Sequence, residues 1–289
     1  MRPNTRSVIT VAVVAVVLII GTMSSASLAH INQSAGGGEH LIVSGDIVSS
    51  SLGCVLSNTF QRGQTVVWRV QAVDANGAMV PDAQLSVLVP GMEPLAMKLG
   101  PHGKSANPPQ FWTVSWQIPF DAKTGPVDYT VKAVDKAGRT GTFTPFNVQP
   151  SLLTVVPARL KMQVALVDPA TGKPFAGSVA PGSPVEVRAQ ATYPQYEARG
   201  EKLPPPTPVT QGTGSAVVGW QGDYDALSGK FAHPLATVQL HYDATAKAWV
   251  GLFQAPAGGG YLQVQATVAD NVTDPNTGTA LSPVVLVGR

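Results

Sequence analysis

Charge is scarce in this chain. Charged side chains make up 12% of the 289 residues, about half the share in an ordinary soluble domain. Two of the basic residues, Arg2 and Arg6, precede an apolar run, and without them 17 acidic residues balance the remaining basic ones. No cluster of Lys and Arg is left to follow a phosphate backbone, which excludes a nucleic-acid partner. Cysteine is nearly missing. Cys54 stands alone, so no internal disulfide can form, and a zinc site built on several thiolates is excluded. The familiar catalytic signatures are missing too: no G-x-S-x-G elbow, no phosphate-binding glycine loop and no H-E-x-x-H helix.

What is abundant is hydrophobic side chains (44%), glycine (29) and proline (25). Low charge with frequent turn formers predicts an all-β protein rather than a helical one. The N-terminus reads as an export segment. Residues 8–20 are apolar but for Thr10, Arg2 and Arg6 lie ahead of them, and small residues follow. Cleavage after Ala29, at Ser27-Leu28-Ala29, would make His30 the first residue. Retention of residues 1–29 as an apolar anchor helix is the alternative. Either outcome places the rest of the chain outside the cytoplasm, in the periplasm, on the cell surface or secreted.

Residues 30–40 read as a flexible leader, and alternating strands begin near Leu41. Expected strands are 65–74, 83–90, 94–99, 111–119, 127–135 and 140–148, separated by turn signals such as Asn76-Gly77. The second half repeats this pattern. Gly63, Val66, Arg69, Gln71 and Ala72 align with Gly182, Val185, Arg188, Gln190 and Ala191, and Trp112, Gln117 and Pro119 align with Trp249, Gln254 and Pro256. The interval from Gly182 to Trp249 is the longer one, and the Pro/Gly-rich stretch 193–214 is expected to hold the whole excess. The reading is therefore one unit over 41–157 and a second over 158–289, the second carrying the insertion 193–214.

The run from Phe111 to Phe143 resembles bacterial immunoglobulin-like and fibronectin type III-like domains. It has an apolar strand ending in Pro119, a glycine turn, the Tyr129–Asp135 strand and the Ala137-Gly138 hairpin. The resemblance implies two tandem immunoglobulin-like β-sandwiches and places Tyr129 at the tyrosine corner. It also implies accessory or adhesive roles, since such domains serve as adhesins and spacers.

Candidate chemistry is sparse. After cleavage at Ala29, the amine and imidazole of His30, with His40 or His102, would supply nitrogen ligands suited to copper. Cys54, Met92, Met97 and His102 form a softer variant of that site, though the spacing of the two methionines places them on opposite strand faces. Asp270, Asp274 and Asn276, in the run 270–278, are candidates for calcium at a domain junction. The simpler reading is that Asp74, Asp135, Asp168 and Asp270 cap turns. Trp68, Trp112, Trp116 and Trp249 fit core positions, while a sugar-stacking face would need an exposed tryptophan, with Trp220 among the five. Tyr193 and Tyr196, in the insertion, are candidates for a partner-contact loop.

The leading expectation is an exported, non-enzymatic module without a cofactor. It would act through contacts with another envelope or extracellular protein and touch the membrane only through an uncleaved N-terminal segment. The alternatives are a copper-binding protein using His30 and a carbohydrate-binding module.

Overall fold

The computed structural model describes residues 40–50, 55–102, 106–146, 151–196 and 203–288. The apolar N-terminal segment, His30 and Cys54 lie outside the described residues. Among the described residues there is no α-helix, and no helix is long and apolar enough to cross a membrane.

The first part of the chain forms β1 (Ile42–Ser49), β2 (Val55–Leu56), β3 (Thr59–Gln61), β4 (Thr65–Val73), β5 (Gln84–Leu88), β6 (Leu95–Ala96), β7 (Lys98–Pro101), β8 (Gln110–Gln117), β9 (Gly125–Pro126), β10 (Thr130–Val134), β11 (Thr140–Phe143) and β12 (Thr154–Val156). Period-two alternation is cleanest in β4, where Val66, Trp68, Val70 and Ala72 point inward and are buried. One sheet has the order β2-β1-β4-β8-β7 and the facing sheet β11-β10-β5-β6. Apart from the two-residue edge strands β2 and β6, these are the A-B-E-D and G-F-C arrangements of an immunoglobulin-type sandwich. Trp68, Trp112, Val87 and Val131 fill the core between them.

The second part forms β13 (Lys161–Val167), β14 (Ser178–Val179), β15 (Pro184–Thr192), β16 (Thr213–Trp220), β17 (Tyr224–Asp225), β18 (Lys230–Phe231), β19 (Ala236–Asp243), β20 (Ala248–Gln254), β21 (Gly260–Ala269), β22 (Thr277–Leu281) and β23 (Val285–Val287). Its own core holds Val187, Trp249, Leu262 and Val264. Here the two faces join along one edge. The start of β19 pairs with β16 and its end with β20, so the hydrogen-bonded path runs from β13 through to β14 without a break.

The repeat read from the sequence holds at the level of register. Thr65 faces Gln117 and Val70 faces Trp112, while Pro184 faces Gln254 and Ala189 faces Trp249. Gly63 donates its N–H to Ile118 and Gly182 donates to Ala255, at 2.8 and 2.9 Å. The parallel pairs β3–β12 and β14–β23 also correspond.

Several details differ from the sequence reading. The expected strand 94–99 breaks at buried Met97, because Leu95–Ala96 pairs with β5 and Lys98–Pro101 with β8 across the sandwich edge. Strand parity therefore does not apply across it: Met97 lies in the first core and Met92 packs against that core. The extra length of the second copy is not confined to 193–214. Residues 213–214 already belong to β16, and a further piece, the β17–β18 hairpin, follows that strand. Tyr129 is buried just before β10, as the resemblance implies, but its hydroxyl donates downstream, to the Ser151 carbonyl at 2.6 Å. It thereby anchors the chain leading into β12 rather than the corner upstream.

Candidate functional site at the junction of the two sandwiches

Three buried polar side chains, Arg62, Asp270 and Asn276, lie where the two sandwiches meet. Arg62 follows β3 and precedes Gly63, whose φ of +85° is open to glycine and strained for other residues. A Cβ at Gly63 would also sit 2.5 Å from the Phe120 ring. Arg62 is 1% exposed. Its Nε donates to the Ala122 carbonyl at 2.6 Å. Nη1 donates to the Asp274 carbonyl at 2.7 Å and to Asn276 Oδ1 at 3.3 Å, and Nη2 to the Thr273 carbonyl at 2.8 Å. The last three acceptors belong to the β21–β22 turn of the second sandwich.

That turn is braced from within. Asp270 accepts the Asn276 N–H at 2.9 Å and its Nδ2 at 2.6 Å. Asn276, fully buried, also receives the Ala158 N–H at 2.7 Å and donates to the Phe120 carbonyl at 2.9 Å. Thr124 bonds the Asp274 carboxylate. Asp274 adopts a left-handed φ of +52°, a conformation Asp tolerates better than most residues.

Tyr193 and Tyr196 are half-buried, and both hydroxyls have partners within the chain. Tyr193 donates to Asp270 at 3.0 Å and its ring lies 4.3 Å from that of Phe120. Tyr196 donates to Gln61 at 3.0 Å. Sequence reasoning placed them on an open loop because their partners are distant in the chain. The junction occupies both hydroxyls instead. Asp270, Asp274 and Asn276 do sit at a junction, with their donors and acceptors engaged by the chain itself. Arg62 and Phe120 were missed. The signal available was a departure from the repeat: the position aligned with Arg62 in the second copy is Pro181.

The other candidates are dispersed. His102 packs edge-on against Phe111 at 5.8 Å, next to Arg69, which lies over the same ring. His40 precedes β1 and His102 follows β7, and in their sheet three inter-strand spacings, about 14 Å, separate those two strands. Among the described residues no three His, Cys, Asp or Glu side chains are grouped for a metal. The four aspartates accept from turn backbone: Asp74 from Asn76 and Ala78, Asp135 from Arg139, Asp168 from Ala170 and Asp270 from Asn276. Trp220 is half-buried and closes the second core, with Gly260 against its ring. Beside it is an open depression of about 430 Å³ that exposed Tyr261 also lines.

Burial, followed by the Asp270 charge, pushes the Tyr193 hydroxyl up to about 12. A tyrosine whose folded pKa is raised contributes stability that is complete below its unfolded pKa, near 10, and is lost as pH rises through the folded value. Stability is therefore expected to fall between about pH 10 and 12. In Tyr193→Phe that alkaline slope becomes shallower, as pH-dependent denaturant midpoints would show. Burial raises Tyr196 as well, so a slope remains in the variant.

No protein-family model matches the chain. No curated protein matches it in sequence. Among solved structures, it is similar to the Escherichia coli adhesin FdeC at 13% identity over 86% of this chain and 66% of that one, with a TM-score of 0.30. It is similar to the Yersinia pseudotuberculosis adhesin InvE at 12% identity over 88% and 62%, TM-score 0.32, and to a marsupial T cell receptor at 11% over 88% and 72%, TM-score 0.32. The chain thus spans just under two thirds of each adhesin structure.

Proposed function

We propose that this chain is an exported, non-enzymatic module of two immunoglobulin-like domains, 41–157 and 158–289, that acts through contacts with another envelope or extracellular protein. One observation carries the reading. Among the described residues, the buried charged side chains, Arg62, Asp135 and Asp270, together with Asn276, are committed to turns and to the junction. The chemistry of this chain goes into holding two sandwiches end to end, which suits a presenting or spacing role. The apolar segment after Arg2 and Arg6 supports export.

The test is photo-crosslinking in intact cells, paired with protease accessibility from outside the cytoplasmic membrane. The expected result is a protease-accessible chain joined to another envelope or extracellular protein. A chain that stays protected in the cytoplasm, or that is recovered only as an uncrosslinked monomer, overturns the proposal.

A further inference from the structure

We infer that Arg62 is a built-in cation. Its guanidinium fills an oxygen cradle on the second sandwich and locks the two sandwiches into one stiff body with no metal ion required.

A guanidinium removed from water costs several kcal/mol unless its donors are satisfied. The partners here are unusual for so deeply buried a cation: the hydrogen bonds run to backbone carbonyls and one amide oxygen rather than to a carboxylate. Carbonyl and amide oxygens converging from a turn are the donors that hard cations take. In this chain the planar fork of an arginine occupies them, and the fork matches acceptors spread over several directions.

The arrangement makes separation of the sandwiches expensive. Arg62 belongs to the first sandwich, while the carbonyls of Thr273 and Asp274 and the amide of Asn276 belong to the second. Moving them apart strands a buried charge on one side and three converging oxygens on the other. The Asn276 side of the cradle is held apart from Arg62, by Asp270 and the Ala158 N–H. The latch is also not part of the repeated unit, since Pro181 takes the corresponding place in the second copy. It sits at the end of the first sandwich that meets the second. Sandwiches joined by a small polar interface are otherwise expected to move relative to each other.

The experiment uses the full chain with Cys54→Ser and spin labels on cysteines replacing exposed Lys98 and Lys230. A narrow distance distribution is expected, unchanged by a chelator. In Arg62→Ala the distribution broadens about two-fold or more, towards ordinary interdomain motion. Millimolar guanidinium ion then narrows it again by refilling the cradle. Arg62→Lys, whose single ammonium cannot reach all four acceptors, gives an intermediate width. Tryptophan fluorescence confirms that both cores stay folded, and should Arg62→Ala fail to fold, Arg62→Lys carries the test. A distribution that stays narrow in both variants overturns the inference. So does broadening of the unmodified protein by the chelator, because a metal would then be the lock.

Discussion

Gly141→Ala is expected to destabilise the first sandwich by about 2–4 kcal/mol, and Gly278→Ala the second by somewhat less. Both glycines sit where the chain at the first strand of a sandwich, β1 or β13, passes close to a later strand, β11 or β22. A Cβ on Gly141 would lie 2.3 Å from the Leu41 carbonyl oxygen and 2.8 Å from Val43. On Gly278 it would lie 2.8 Å from the Leu160 carbonyl oxygen and 2.7 Å from Met162. Both facing backbones are held by the same kind of bond, Leu41 N–H to the Thr140 carbonyl at 3.0 Å and Leu160 N–H to the Thr277 carbonyl at 2.8 Å, but the approach to backbone is closer at Gly141, 2.3 Å against 2.8 Å. That difference sets the order of the two effects. Denaturant midpoints should shift with little change in slope. Gly100→Ala is the control: it lies in strand β7, where a Cβ would meet nothing within 4 Å, so its effect stays within about 0.5 kcal/mol. Equal effects at Gly100 and Gly141 would show that the close crossing does not limit stability.

The two crossing glycines also show what the sequence offered. Thr140-Gly141-Thr142 and Thr277-Gly278-Thr279 are the same tripeptide at corresponding places, a third match beyond the two used to find the repeat. Strand content was legible wherever one face is buried, because alternation then fixes the register, as in β4 and β15. The aspartate turns were legible because the carboxylate bonds its own backbone a few residues on. Contacts distant in the chain were not. Nothing local distinguishes Arg62 in a turn from an exposed arginine, nor Tyr193 pointing at Asp270 from a tyrosine in solvent. The split at Met97 was hidden for a related reason. A short, mostly apolar run looks like one strand whether it stays in a sheet or crosses to the other.

The junction explains why so weakly charged a chain still buries charge. An immunoglobulin-type sandwich fills its core with aliphatic and aromatic side chains, and its turns need only a few aspartates. An end-to-end joint is different, because it brings together turns whose backbone carbonyls and N–H groups lose water and need partners. Arg62 and Asn276 meet that need from opposite sides. Arg62 supplies donors to carbonyls, and Asn276 supplies both a donor and an acceptor. Phe120 and Tyr193 cover the polar centre with apolar surface, which strengthens the enclosed hydrogen bonds by lowering the local dielectric.

Asn276→Ala should therefore be among the most damaging single changes, costing about 3–5 kcal/mol. It deprives the Ala158 N–H, Arg62 Nη1, the Phe120 carbonyl and Asp270 of a partner at once. The loss should appear twice, as a lower unfolding midpoint of the second sandwich and as loosening between the labelled sandwiches. Asn276→Asp, nearly identical in shape, separates the two roles of the side chain. The introduced carboxylate still accepts from Ala158 and Arg62, but its second oxygen faces the Phe120 carbonyl and Asp270, which now accept from Nδ2. The repelling Asp270 oxygen is 2.6 Å away and the attracting guanidinium 3.3 Å away, so repulsion wins at neutral pH. Two carboxyls sharing one site hold a proton to higher pH than either would alone. A raised folded pKa gives stability that is complete below the unfolded value, near 4, and lost as pH rises through the folded value. Relative to the unmodified protein, Asn276→Asp should thus recover in mild acid, where the shared proton restores a donor towards Asp270. Asn276→Ala should not recover. A parallel pH response in the two variants, measured by denaturant midpoints from acid to neutral pH, would show that Asn276 acts only by filling space.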